Sequence, residues 1–237
     1  MTRHFGVLIP STNTTVETEY TRLLPPSLQA HYARLGKGQN VAFVPSRDDD
    51  LKYQSQLLGN AKVEVVALTQ SSASMSDDDY DSNAKRYMSE ACGAPALTSA
   101  EAIGQAIGAL GGKRIGLVSP YSQAVMARTK RYYEMRYCVE VVANEGFGAT
   151  DSYAIGALNA DNATAAFARM DLAQIDLLVV LGGNFPTMCF IAAWEQEFGK
   201  PVLTTNQAVI WAVMTTMGIN ESLSGLGVLL QELPPAQ

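Results

Sequence analysis

The sequence predicts an α/β fold of two pseudo-symmetric lobes, each with a mostly parallel sheet flanked by helices, and a functional site in the cleft between them. The first observation behind this is an internal repeat. Three segments of the first half recur in the second, in order and at nearly constant offset. Gly6-Val7-Leu8-Ile9-Pro10 matches Gly116-Leu117-Val118-Ser119-Pro120, Lys62-Val63-Glu64-Val65-Val66 matches Gln174-Ile175-Asp176-Leu177-Leu178, and Pro95-Ala96-Leu97-Thr98-Ser99 matches Pro201-Val202-Leu203-Thr204-Thr205. Solenoid repeats have periods of roughly 20 to 50 residues, so copies this far apart are half-domains, each carrying its own sheet. The second observation is the alternation of short apolar runs, bounded by Pro, Gly, Ser or Asn, with longer amphipathic stretches. That is the pattern of buried parallel strands joined by helices.

Taken in order, the apolar runs predict strands at Phe5 to Ile9, Gln29 to Leu35, Val63 to Leu68, Ile115 to Val118, Val139 to Ala143, Leu177 to Leu181 and Val202 to Thr204, with a weaker one at Val41 to Val44. Helices are expected from Ser99, Ser122, Ala163, Pro186 and Gln207. The first of these has Glu101 in its opening turn and Gly111-Gly112 at its close. The Gly pair, followed by Lys113-Arg114 and the repeated strand, marks the seam. It divides the chain into an N-terminal lobe, 1–112, and a C-terminal lobe, 113–215, with a segment 216–237 expected to pack back on the first lobe. No Ser- or Pro-rich linker lies at the seam, which predicts lobes packed tightly together.

Composition narrows the function classes. The 237 residues are 47% hydrophobic and 17% charged, with a net charge of −6. That balance lacks the clustered Lys and Arg needed by a nucleic-acid or anionic-membrane surface, and it leaves a small molecule as the expected partner. No apolar stretch approaches the ~20 residues that span a bilayer, and the N-terminus runs straight into a strand-like segment, which predicts a cytoplasmic protein. The three cysteines, Cys92, Cys138 and Cys189, are far apart and odd in number. They predict neither a disulfide framework nor a metal site.

Parallel α/β sheets place ligand sites in loops beyond the carboxyl ends of their strands, and the repeat identifies those loops. They are Pro10-Ser11-Thr12-Asn13-Thr14-Thr15 and its counterpart Pro120-Tyr121-Ser122-Gln123, and Thr69-Gln70-Ser71-Ser72-Ala73-Ser74 and its counterpart Gly182-Gly183-Asn184-Phe185-Pro186-Thr187. All four are small, rich in hydroxyls or amides, and poor in charge. Any one of them reads as ordinary helix N-capping. Four at equivalent positions describe a cradle of backbone N–H groups and neutral donors for an anion such as a carboxylate.

At these loops the sequence resembles the Asp/Glu racemase superfamily, in the branch containing maleate cis-trans isomerases and arylmalonate decarboxylases. The resemblance is carried by Gly6 to Glu19 (GVLIPSTNTTVETE), His31-Tyr32-Ala33-Arg34, Ala61 to Val66, Thr98-Ser99-Ala100, Arg114 to Tyr121 and Gly199-Lys200-Pro201-Val202. It implies two pseudo-symmetric lobes, a small organic acid between them, and neither metal nor organic cofactor; a homo-oligomer is compatible with it. Racemases and isomerases of this kind carry a cysteine after the third strand of each lobe, and the decarboxylases keep the second. By the same alignment those positions are Gln70 and Gly182, so both thiols are missing.

The binding part of the family site carries over better. Ser71 and Ser72 match a hydroxyl pair, Gly183 a backbone donor and Tyr121 a tyrosine hydroxyl, together a donor set for carboxylate or enediolate charge. Tyr121, Ser71 and Ser72 are the expected catalytic residues. Ser11, Asn13, Thr14, Gln70, Gly182, Gly183 and Asn184 are the expected substrate-binding residues. Asn184 departs from the family by adding a side chain, and Ser152 stands where isomerases tend to have an amide.

The implied function is a cysteine-independent lyase or isomerase of a small carboxylic acid. The alternative is a non-catalytic small-carboxylate-binding or regulatory protein. Cys189, followed by Phe190, Ile191, Ala192 and Ala193, reads as a small buried hydrophobe within a helix begun by Pro186. Asp77-Asp78-Asp79 and Asp48-Asp49-Asp50 read as solvated charges at helix N-termini. His4 and His31 lie in or beside strands without the partners of a triad base, and His31 is placed to reach the pocket rim.

Overall fold

The computed structural model describes residues 2–36, 44–149 and 151–236. The first half contains β1 (Arg3–Pro10), α1 (Val16–Leu23), β2 (Leu28–Leu35), α2 (Asp48–Asn60), β3 (Val66–Leu68), α3 (Ser71–Ser74), α4 (Tyr80–Cys92), β4 (Ala96–Thr98) and α5 (Ser99–Ala109). The second contains β5 (Arg114–Ser119), α6 (Gln123–Tyr137), β6 (Glu140–Gly146), α7 (Ala160–Phe167), β7 (Leu177–Val180), α8 (Ile191–Phe198), β8 (Val202–Thr204) and α9 (Thr205–Thr216), followed by α10 (Val228–Glu232). Short 3₁₀ turns cover Ala154–Ala157, Leu172–Gln174 and Met188–Phe190.

The strands form two parallel four-stranded sheets, ordered β2-β1-β3-β4 and β6-β5-β7-β8. One order used twice is the spatial form of the sequence repeat. The repeated glycine of each first strand has a packing reason. A Cβ on Gly6 would lie 3.0 Å from Leu58 Cδ1, and one on Gly116 2.8 Å from Ile175 Cδ1 and Met170 Sδ, so a side chain at either position would push the covering residues back from the sheet. Strand β7 is buried over its whole length, the continuous apolar run expected where both faces of a parallel sheet are covered.

The two sheets meet through α5 and α9, which follow the fourth strand of each half and pack on one another. Thr98 caps α5 by accepting the Glu101 N–H, and Thr204 and Gln207 form a reciprocal capping box on α9. One apolar cluster runs through this interface, joining Val7 and Ile103 of the first half to Val179, Ile210 and Trp211 of the second. The outer face of the first sheet has its own smaller cluster around Leu8, Leu58 and Met88.

Several expected boundaries shift for visible reasons. Strand β4 copies β8 but was not among the expected strands. The run Val63 to Leu68 is a regular strand only over Val66–Leu68. The helix expected from Ala163 begins at Ala160, because Asn159 and Asn162 form a reciprocal cap. The helix expected from Pro186 begins as a 3₁₀ turn at Met188 and becomes α-helical at Ile191. Most of the weak strand at Val41 to Val44 lies outside the described residues. The segment after α9 touches the first half where Arg3 donates to the Met217 carbonyl and Ser27 to Glu221. Most of its bonds go instead to the second half, from Gln207 to Leu226 O, Trp211 to Pro234 O and Val228 N–H to Glu195. Among the described residues no helix is long and apolar enough to cross a membrane.

Candidate active site

The carboxyl ends of β1, β3, β5 and β7 converge on one cleft. It is lined by Pro10, Thr12 and Asn13 from the first loop, by Thr69, Gln70, Ser71 and Ser72 from the β3–α3 turn, and by Tyr121 from the β5–α6 turn. Gly182, Gly183 and Asn184 after β7, with Ser152 and Ile155 from the turn before α7, close the other side. The cavity measures about 50 Å³, against ~10–15 Å³ for a single water on the same scale. That is room for a small acid group and little more. No lysine, arginine, histidine, carboxylate or thiol is among these lining residues.

The hydroxyl side of the cleft is built across the two halves. Ser71 Oγ and the Tyr121 hydroxyl lie 3.0 Å apart, both buried. Tyr121 is held from behind, where its N–H donates to Ser119 Oγ at 2.9 Å. Burial pushes the Tyr121 phenol above its ordinary value, and hydrogen bonds with Ser71 and Ser72 pull it partly back. The group therefore stays a neutral donor at ordinary pH.

The opposite side is backbone. Gly182 sits at φ +110°, a region open to glycine. Its N–H donates to Thr205 Oγ1 at 3.0 Å, and its carbonyl accepts the Phe185 N–H at 2.9 Å. Among the described residues the N–H of Gly183 makes no hydrogen bond. A Cβ on Gly183 would lie 3.3 Å from both Thr69 O and Asn206 Oδ1, so glycine allows this turn to approach the first lobe.

Gln70 and Gly182, the two positions expected to correspond to family cysteines, both have structural contacts of their own. Gln70 is buried, with Oε1 accepting from Ser46 Oγ at 3.0 Å and Nε2 donating to the Val44 carbonyl at 3.0 Å. At Gly182 a Cβ would lie 2.9 Å from Pro120 Cγ. A cysteine there would meet both that ring and an unfavourable backbone conformation.

Not all the expected binding residues face the cleft. Asn13 does, but its Oδ1 is used to cap α1, accepting the N–H groups of Thr15 and Val16 at 3.0 Å each, which leaves Nδ2 for a ligand. Ser11 is exposed and outside the cavity lining. The Thr14 N–H donates to Asn184 Oδ1 at 2.7 Å, and Thr14 lines a different cavity of about 260 Å³. Asn184 is less a ligand group than a clasp. Its Nδ2 donates to Ser152 O at 2.8 Å, and its carbonyl accepts from Thr15 Oγ1 at 2.7 Å.

Cys189 is corrected from buried to exposed. It lies in the 3₁₀ turn, where Met188 takes the inward position, and it faces the second cavity beside Glu19. Partial burial and the Glu19 carboxylate raise its thiol, so it is a poor nucleophile. His4 and His31 pair with each other, Nδ1 to Nε2 at 2.9 Å, away from the cleft. Asp48, Asp49 and Asp50 occupy the first turn of α2. Among the described residues no three His, Cys, Asp or Glu side chains are grouped as metal ligands.

Sequence reasoning missed Glu19. It is buried on the Val16, Glu19, Tyr20 stripe of α1, and it accepts the Thr187 and Met188 N–H groups at 2.7 and 2.8 Å. An N-terminal helical turn of the second lobe is thus capped by a carboxylate of the first, which is why that turn begins at Met188. Burial raises the Glu19 carboxyl, and its hydrogen bonds to Asn206, Met188 and Thr187 oppose the rise. The available signal was an acid at helical spacing between buried apolar positions.

Comparison with known proteins agrees with this architecture. A maleate isomerase of Pseudomonas putida is 26% identical, with 95% of this chain and 96% of that protein covered. The crystal structure of the maleate isomerase Iso from Pseudomonas putida S16 superposes with a TM-score of 0.86 at 23% identity, covering 98% of this chain and all of that one. Unliganded arylmalonate decarboxylase superposes with a TM-score of 0.80 at 21% identity, covering 97% and 99%. Residues 5–230 match the family model described as arylmalonate decarboxylase, and the chain belongs to that family.

Proposed function

We propose that this protein is an isomerase or lyase of a small carboxylic acid that works without a thiol, holding carboxylate or enediolate charge on neutral donors. The observation that carries this is the Ser71–Tyr121 pair, buried and 3.0 Å apart, which lines the same cleft as Gly183, whose N–H has no partner among the described residues. Donors fixed in advance around developing negative charge need no reorganisation during reaction. A deprotonating base is not among the described residues lining the cleft.

Of the two reactions, that lining favours a lyase. Rotation about a carbon–carbon double bond requires a nucleophile to add and later leave, and a serine hydroxyl without a base is a weak one. Loss of carbon dioxide from a malonate-type acid requires none. The carbon–carboxylate bond breaks, and its electron pair passes into the remaining carboxylate as an enediolate. Ser71, Ser72, Tyr121 and the Gly183 amide hold that charge. The α-carbon then takes a proton from water, directly or through Tyr121 as water reprotonates the phenol, and the hydroxide left behind combines with the released carbon dioxide as bicarbonate.

A second reading is a carboxylate-binding protein without turnover. The way Gln70 and Gly182 are committed to structural contacts favours it, because neither position has room for restored thiol chemistry. Proton NMR in deuterated water with substituted malonates, maleate, aspartate and hydroxy acids separates the readings. An enzyme gives product signals or α-deuterium exchange. A binding protein gives only line broadening of one of the acids, and no effect with any acid contradicts both.

A further inference from the structure

Glu19 belongs to α1 of the first lobe, yet among the described residues the hydrogen bonds of its carboxylate go to the second. Besides Thr187 and Met188, its Oε2 accepts Asn206 Nδ2 at 2.6 Å. The same nitrogen donates to the Gly183 carbonyl at 3.1 Å, while Asn206 Oδ1 is buried with no partner among the described residues. Turning the amide over would set its oxygen against the Glu19 carboxylate and the Gly183 carbonyl together, so these two acceptors dictate which way Asn206 faces.

A trans peptide points its C=O and N–H in opposite directions. Asn206 holds the Gly183 carbonyl on one side of the turn and thereby directs the Asn184 N–H to the other. Among the described residues neither the Gly183 nor the Asn184 N–H has a partner, and both residues line the cleft. Successive free N–H groups of this kind form an anion-binding concavity.

We propose that Glu19 is a positioning residue: through Asn206 it sets the orientation of the Gly183–Asn184 peptide, and with it the backbone donors that the second lobe offers to the ligand. The premise is the carboxylate-binding cleft argued above. Glu19 is not among the residues lining the cleft, and its role is distinct from merely bracing the two lobes.

Two variants separate those roles. In Glu19→Gln the new Nε2 confronts Asn206 Nδ2, and relief by flipping Asn206 places an oxygen against Gly183 O. In the exchanged pair Glu19→Gln with Asn206→Asp, a hydrogen bond between the lobes is restored, but an acceptor still faces the Gly183 carbonyl. The measurements are Tm, the Kd for maleate by calorimetry, and the ¹⁵N-HSQC signals of Gly183 and Asn184 in ligand-free protein. Glu19→Gln is expected to lower Tm, weaken maleate roughly tenfold or more and displace both amide signals. The exchanged pair is expected to regain Tm while affinity and signals stay altered, and it carries the test if the single variant does not fold. Wild-type affinity and signals in the exchanged pair, or unmoved Gly183 and Asn184 signals in Glu19→Gln, would overturn the proposal. Absence of maleate binding by the wild type would count against the carboxylate cleft, while the ligand-free amide signals would still decide the role of Glu19.

Discussion

Ser71 Oγ and the Tyr121 hydroxyl meet at 3.0 Å although one stands at the end of β3 and the other at the end of β5, in different sheets. The contact makes the cleft a joint product of the two halves, since neither lobe alone presents a pair of hydroxyls at hydrogen-bond distance with the other's backbone donors opposite. It also explains why the chemistry expected here is the holding of charge.

Tyr121→Phe removes one donor without changing the ring that fills the site. Hydrogen bonds to charged groups contribute ~1.5–3 kcal/mol, so binding or turnover of a carboxylate should fall by roughly 10- to 100-fold. Unfolding free energy should drop by only about 1 kcal/mol. Ser72→Ala should act in the same direction. Unchanged affinity in both, measured by calorimetry, would remove the assigned donors.

Gly182→Cys tests whether thiol chemistry can be put back. The backbone at φ +110° and the Pro120 ring at 2.9 Å from a Cβ both resist a side chain. Destabilisation of ~1–3 kcal/mol is expected from the strained backbone alone, with no gain of isomerisation. A stable Gly182→Cys variant that interconverts maleate and fumarate would show that the position is more permissive than its geometry indicates.

Iodoacetamide should modify Cys189 slowly although the residue is exposed, because partial burial of the sulfur and the Glu19 carboxylate raise its thiol. The modified protein should keep its ligand affinity, since Cys189 faces the second cavity. Mass spectrometry alongside binding checks both points, and fast inactivation blocked by ligand would contradict them.

The pH response follows from Tyr121. Its folded value is raised above the ordinary 10 by burial, so the folded state holds this proton more tightly than the unfolded chain. The associated stability is complete below pH 10 and is lost as pH climbs through the raised value. Denaturant titrations should therefore show the stability gap between wild type and Tyr121→Phe narrowing in alkali. With no thiol, imidazole or amine among the described lining residues, carboxylate affinity should be flat between about pH 7 and 9.

Much of the architecture was legible because the chain carries it twice. Gly6 and Gly116 recur since each half must bring a covering hydrophobe onto its first strand, and Thr98 and Thr204 recur as helix caps. β4 was hidden because Ala96-Leu97-Thr98 is short and has an alanine where its copy has the strand-forming Val202. At the candidate site, the repeat located the loops, and the family resemblance singled out Ser71, Ser72, Tyr121 and Gly183 within them. Ser11 and Thr14 could not be sorted from Asn13, because which way a loop residue faces depends on Asn184 reaching over from the other lobe. The start of the turn at Met188 was equally out of reach, since its cap is Glu19, far away in sequence.

The central claim is that a cleft of neutral donors acts without sulfur, and one variant tests it most directly. Cys92, Cys138 and Cys189 are all replaced by serine, and proton NMR in deuterated water follows a small substituted malonate such as methylmalonate beside maleate. The account predicts that the cysteine-free protein decarboxylates the malonate as fast as the wild type, leaving one deuterium on the α-carbon, and that Tyr121→Phe slows this sharply. Turnover by the wild type that disappears with the cysteines would contradict it.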